Sequence, residues 1–411
     1  MSAPLRRQLG MLRRAGAFRL LFLATLGSGV GTWMATIALT ADITARTQSP
    51  WWVSALFIVT FLPSVVVGLA AGPLIDRLSR KRLIVAADLA RLAVFIVLPF
   101  TGGTLAILGL AAVAGVANSF FRPAVLAGVP NLVSEDDLAH GTSLLQATDW
   151  VAATLGPILG GVIVSASGAN VVYWVNAATF LISAALLVRI PAALLQSEQA
   201  VTRGHWRDLV EGLSAFRRSA AMFTVLFAFG FAMLATGLIN VSEIFLAERA
   251  LHRGAFGYGL LWTATGIGLV VGSLVSGALI EKREPTSVYP LAFLPWAAGI
   301  LGAGIAPNLW VASVAMVLAG FGNGLTFPLT ILIVQRHTVD RLRGRAFTVI
   351  ISAHNALLGI AMVAAGALTN LAGARWTYGV AAGLLACGSA VAAVLGRGVE
   401  REGAVVQQQA A

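Results

Sequence analysis

Long apolar runs broken by short polar segments recur twelve times along the chain. The runs cover 18–41, 51–75, 83–100, 105–127, 142–167, 171–190, 221–245, 257–280, 287–305, 310–334, 346–371 and 377–396. Each is close to the roughly 20 mostly apolar residues that a helix needs to cross a bilayer. The pattern predicts an all-α integral membrane protein with twelve transmembrane helices. The first run starts behind Arg6, Arg7, Arg13 and Arg14 and continues to about Ala41, with no small-residue cleavage pattern before Gly31-Thr32-Trp33. It is expected to be a retained helix and no cleaved signal peptide.

The longest polar interruption, 191–220, follows the sixth run and divides the chain into 1–190, a cytoplasmic linker 191–220, and 221–411. The two flanking parts resemble each other at an offset of 205 residues. Gly72-Pro73-Leu74-Ile75-Asp76-Arg77 falls on Gly277-Ala278-Leu279-Ile280-Glu281-Lys282. Ala114-Gly115 through Asn118, followed by Pro123, falls on Ala319-Gly320 through Asn323, followed by Pro328. Gly161 falls on Gly366, and Gly168-Ala169 with Tyr173 falls on Gly373-Ala374 with Tyr378. Four matches at one offset predict two pseudo-symmetric bundles of six helices, a pattern of transporters that alternate access around a midplane site.

Composition removes the soluble alternatives. Of 411 residues, 58% are hydrophobic and 11% charged, with mean hydropathy +0.86, whereas a soluble domain carries about 25% charged residues. A single cysteine, Cys387, excludes a disulfide scaffold. The net charge of +11 would suggest nucleic acid in a soluble protein, but here its placement explains it. With the N-terminus in the cytoplasm, 22 of the 28 Lys and Arg residues fall on that side, among them Arg77, Arg80, Lys81 and Arg82. That asymmetry puts both termini in the cytoplasm and makes a nucleic-acid partner unnecessary. Arg outnumbers Lys 26 to 2 beside abundant Ala and Gly. This points to a GC-rich bacterial genome, hence to a bacterial inner membrane.

The motifs resemble the major facilitator superfamily. Gly72 to Arg82, between the second and third spans, looks like its signature loop G-x-L-x-D-R-x-x-R-K-R. Gly156-Pro157-Ile158-Leu159-Gly160-Gly161, in the fifth span, looks like the G-P-x-x-G-G element of its exporters. Phe120 to Gly141 and Leu342-Arg343-Gly344-Arg345 are similar to the branch containing macrolide and siderophore exporters. The resemblance implies that Gly72, Asp76, Arg77, Arg80, Lys81 and Arg82 form a cytoplasmic gate. Asp76 would face the N-terminus of the eleventh helix, with Glu135, Asp136 and Asp137 as partners for Arg77 and Arg80. It implies that Gly156, Pro157, Gly160 and Gly161 form a helix 5 seam against Gly266, Gly268 and Gly272 of helix 8; the alternative is ordinary tight packing. Helix 4 lacks the Arg followed by Gln-Gly that some proton-coupled exporters carry, which leaves proton coupling open.

Ionisable groups inside spans are expensive and so are functional candidates. Asp149 in helix 5 is a candidate proton or cation-substrate site. Its partner at offset 205, His354 in helix 11, is either a titrating group or a satisfied inter-helix hydrogen bond. Asp88 and Arg91, three apart, are expected to neutralise each other. Arg122 is expected to reach the cytoplasm or an acid of the 135–137 cluster. Glu243, Asn118 and Asn323 are candidates to line the central cavity, with Trp33, Phe120, Phe231 and Phe327 as apolar wall. Such a pocket suits an amphipathic or lipophilic substrate.

The leading reading is a secondary-active exporter of a small hydrophobic or amphipathic compound, in exchange for protons. An uptake transporter or uniporter of the same fold is the alternative, with a membrane-embedded enzyme or receptor further off. The chain carries no H-E-x-x-H, G-x-x-x-x-G-K-[ST] or G-x-S-x-G, so no catalytic residue, metal, cofactor or direct ATP drive is expected. A monomer is expected.

Overall fold

With no water in the bilayer core, each apolar run must satisfy its backbone internally, and a helix does so completely. The computed structural model describes residues 11–12, 14–70, 78–195, 220–281, 283–338 and 340–410; no strand occurs among them. In order they form α1 (Gly16–Thr47), α2 (Pro50–Ala70), α3 (Arg80–Val97), α4 (Thr104–Gly128), α5 (Leu138–Ser167) and α6 (Ala169–Val188). Then come α7 (Ala220–Phe245), α8 (Gly254–Ile280), α9 (Pro285–Ile305), α10 (Leu309–Arg336), α11 (Asp340–Ala372) and α12 (Ala374–Ala410). Among the described residues, twelve helices are long and apolar enough to cross a membrane.

The helices outrun the apolar runs where polar residues are locally paired. α1 continues past Ala41 because Asp42 and Arg46, one turn apart, pair across 2.7 Å. Six hydroxyls of α1, on Thr25, Ser28, Thr32, Thr36, Thr40 and Thr44, each donate to the carbonyl four residues earlier. None of them needs a partner on another helix.

The chain separates into two compact units, 1–48 with 55–203, and 49–54 with 204–411. In the first, α1 packs against α5 and α6, and α3 against α4 and α6. In the second, α7 packs against α11 and α12, and α9 against α10 and α12. Adding six to each helix number converts one set into the other. The detail repeats as well. A Cβ on Gly115 would lie 2.9 Å from the Thr60 carbonyl oxygen, and one on Gly320 would lie 2.0 Å from that of Thr265; both pairs are related by 205 residues. Gly168 and Gly373, at φ 82° and 83°, join α5 to α6 and α11 to α12 in the same left-handed way.

Candidate functional site

Arg122 of α4 and Asp149 of α5 form an ion pair in the first unit, and Arg122 also donates to Gln146 at 3.4 Å. Their spacing of 27 residues gives no hint of the contact; the packing of α5 beside the end of α4 creates it. The two side chains are 32% and 36% exposed although both lie within spanning helices. A charged pair is costly in hydrocarbon, so an exposed pair inside spans is a functional candidate. The expectation that Arg122 holds an acid of the 135–137 cluster is corrected: its acid is Asp149.

A second pair is closed. Asp88 and Arg91 of α3 are 0% and 3% exposed, as the three-residue spacing predicted for mutual neutralisation. Spacing did not reveal the rest of the network. Ser183 of α6 donates to Asp88 at 2.6 Å, and Arg91 donates to the Asn118 side-chain oxygen on α4 at 3.2 Å. The Arg91 guanidinium lies 4.4 Å from the ring centres of both Phe121 and Phe180. Asn118 therefore serves Arg91, while Asn323 is half-buried in α10. Phe120, expected in the central wall, lines an apolar groove with Ala86, Ala90 and Val116.

Of the signature loop, Gly72, Asp76 and Arg77 lie outside the described residues, as does the side chain of Asp136. Arg80 donates to the carbonyls of Ala127 at 2.9 Å and Leu195 at 3.5 Å, and Lys81 to that of Val188 at 2.7 Å. These bonds tie the start of α3 to the ends of α4 and α6. The described contacts of Arg80 are with these backbone carbonyls, and its expected pairing with Asp136 lies outside the described residues. Arg82 closes the helix start, its backbone N–H donating to the Ser79 hydroxyl at 3.5 Å, and Glu135 to Asp137 form a short 3-10 turn ahead of α5.

The helix 5 glycines also find a different neighbour. A Cβ on Gly156 would lie 2.9 Å from the Val30 carbonyl oxygen, and one on Gly160 would lie 2.7 Å from that of Met34, both on α1. Pro157 and Gly161 are buried in the same helix. Gly268 and Gly272 of α8 face Val317 and Phe321 of α10. These glycines thus pack tightly against a neighbour inside their own unit.

In the second unit, the His354 imidazole bonds the Leu226 carbonyl at 3.3 Å and its ring centre lies 5.1 Å from that of Phe229, the satisfied inter-helix arrangement. Glu243, expected to face the central cavity, is only 3% exposed. Sequence reasoning missed the cluster of Asp42, Arg46 and Tyr173, in which Tyr173 donates to Asp42 at 3.0 Å. The signal was present, since Tyr173 and Tyr378 occupy matching positions.

Two six-helix units with matching contacts, and charged groups confined to a few places inside the spans, define a multi-pass membrane transporter of the major facilitator class. Its residues 8–404 match the transmembrane secretion effector family, and the chain belongs to that family. The enterobactin exporter EntS of Citrobacter koseri is 27% identical over 347 residues, covering 82% of this chain and 81% of the relative. YfiS of Bacillus subtilis, an uncharacterised transporter of the major facilitator type, is 26% identical over 378 residues, covering 88% and 87%. The crystal structure of the nucleoside transporter NupG has the same fold, with TM-score 0.76 and 12% identity over 92% of this chain and 99% of that one. Membership of this class places the chain in the bacterial inner membrane, with a small molecule as its cargo.

Proposed function

We propose that the protein is a secondary-active exporter that moves a small hydrophobic or amphipathic compound outward by alternating access, in exchange for protons. The observation that carries this reading is the Arg122–Asp149 pair, a half-exposed acid and base within spanning helices. Proton and cargo take Asp149 in turn: a cationic or hydrogen-bond-donating end of the cargo binds the carboxylate from the cytoplasm, and a proton arriving from outside neutralises Asp149 and releases the cargo there; the proton is then lost to the cytoplasm and Asp149 returns to Arg122. The outward direction is supported by a relative that is an enterobactin exporter. Gly72, Asp76 and Arg77 act as the cytoplasmic gate in this scheme, both termini lie in the cytoplasm, and the monomer is the working unit.

The test is an efflux panel of antibiotics and secreted metabolites in a pump-deficient host, with and without collapse of the proton gradient. The expected result is export of at least one compound that stops on collapse. Export that continues unchanged after collapse refutes proton exchange, and accumulation in place of export favours an uptake transporter.

A further inference from the structure

Each unit brings an acid near the end of its first helix close to the tyrosine at the matching place in its sixth, but only the first unit bonds the two and supplies a counter-ion. In the first unit, Asp42 accepts from Tyr173 of α6 and is paired with Arg46. In the second, Tyr378 of α12 stands at the position 205 residues beyond Tyr173 and lies within electrostatic reach of Glu243 on α7. Glu243 falls one helical turn deeper in its helix than the position matching Asp42. It is 3% exposed, and its Oε1 is buried with no hydrogen-bond partner, as is the Tyr378 hydroxyl.

The groups around it are few. From α8, Tyr258 lies near Tyr378. From the π-helical turn that continues α7, Glu248 and Arg249 follow, the latter with its guanidinium 4.8 Å from the centre of the Phe245 ring. The titratable residue of α11 among those with described side chains, His354, is held by the Leu226 carbonyl toward the other end of α7. α10 has no charged residue before Arg336, and Arg375 at the start of α12 donates to the Gly304 carbonyl at 2.8 Å. Among the described residues no cation neutralises Glu243.

A lone carboxylate in such a place is far less stable than the neutral acid. We infer that Glu243 is a proton-binding site enclosed within the second unit, and that its proton is one of those exchanged for cargo; the second half of this statement rests on the proton-exchange reading above. The π-helical turn from Leu246 to Ala250 begins three residues beyond Glu243. There the backbone ladder widens, with the Leu251 N–H donating to the Leu246 carbonyl at 3.0 Å and the Arg253 N–H to that of Ala247 at 2.9 Å. Such turns occur frequently at functional positions.

Infrared spectroscopy of the purified protein in liposomes tests this without any cargo. The wild type is expected to show the carbonyl stretch of a protonated carboxylic acid at neutral pH. Asp42, Asp88 and Asp149 each stand beside an arginine, which Glu243 lacks among the described residues, and the variants assign the band. Glu243→Gln removes the acid band, and Glu243→Asp, which keeps the group, displaces it should Gln not fold. Transfer to heavy water shifts the band within minutes if the proton is exchangeable. No acid band at neutral pH, or one unchanged in both variants, overturns the site and leaves the export reading standing. A band that resists exchange for hours overturns the carrier role. Export insensitive to the proton gradient with the band present removes the exchange reading and keeps the site.

Discussion

The closed pair of Asp88 and Arg91 makes a sharp prediction, because the second unit answers the same packing problem without charge. At the positions 205 residues beyond Asp88, Arg91 and Ser183 stand Phe293, Trp296 and Gly388. Phe293 and Trp296 are buried, with ring centres 6.5 Å apart. Replacing Arg91 by Met leaves the Asp88 carboxylate enclosed with only Ser183, and removing one member of a buried pair costs about 3–5 kcal/mol. With about 2–4 °C per kcal/mol in a unit of this size, the melting temperature should fall by about 6–20 °C. The double variant Asp88→Leu/Arg91→Met removes both charges. Ser183 can then turn to the carbonyl of Thr179 one turn back, and Asn118 lies on an exposed side of α4 with no charge left to serve. Its stability should return to within about 1 kcal/mol of wild type, since apolar replacement of a buried pair is often neutral or better. Thermal unfolding in detergent, followed by size-exclusion chromatography, reads both. A single variant as stable as wild type, or a double variant as damaged as the single, would refute the assignment of this pair to structure alone. The double variant is also expected to export normally.

Arg122→Ala and Asp149→Asn should each reduce export at least tenfold with little change in melting temperature, because a half-exposed pair contributes only about 0–1 kcal/mol; a fall in stability that accounts for the lost export would count against the site. Gly320→Ala should destabilise by about 1–3 kcal/mol and more than Gly115→Ala, since the added carbon meets backbone at 2.0 Å and 2.9 Å respectively, while Gly383→Ala, with nothing within 4 Å, should be silent in the same melting assay. Gly160→Leu is expected to lower the amount of folded protein, because its side chain would meet the α1 backbone; well-folded but inactive protein would restore the idea of a moving seam. His354→Gln keeps a donor for the Leu226 carbonyl and should leave the pH profile of export unchanged, and a displaced profile would make His354 a coupling group.

Hydropathy located all twelve spans because crossing a bilayer constrains length and composition strongly. The offset of 205 residues carried into atomic contacts such as Gly115 with Thr60 and Gly320 with Thr265, because close helix approach demands small residues at fixed places. Which way a polar residue faces was far less legible. When a helix is apolar on every side, its pattern no longer says which face looks at which neighbour. So Glu243 was expected in a cavity and lies inside the second unit, and neither alternative for Arg122, the cytoplasm or the 135–137 cluster, named Asp149. Asp88 with Arg91 was legible because the two share a helix. Its extension to Asn118 and Ser183 was not, since those residues arrive from α4 and α6.

The glycines between α5 and α6 and between α11 and α12 bear on how the chain is made. Gly168 has φ 82° and ψ 168°, a conformation almost closed to other residues, and a Cβ there would touch nothing within 4 Å. Glycine is required by the backbone alone, and it reverses the chain in a single residue between two spanning helices. So short a connection cannot park in water while its partner helix waits, so the ribosome must deliver each pair to the insertion machinery as one hairpin. A bulkier residue at Gly168 or Gly373 would therefore be felt first during synthesis, as failed insertion, before any transport cycle began.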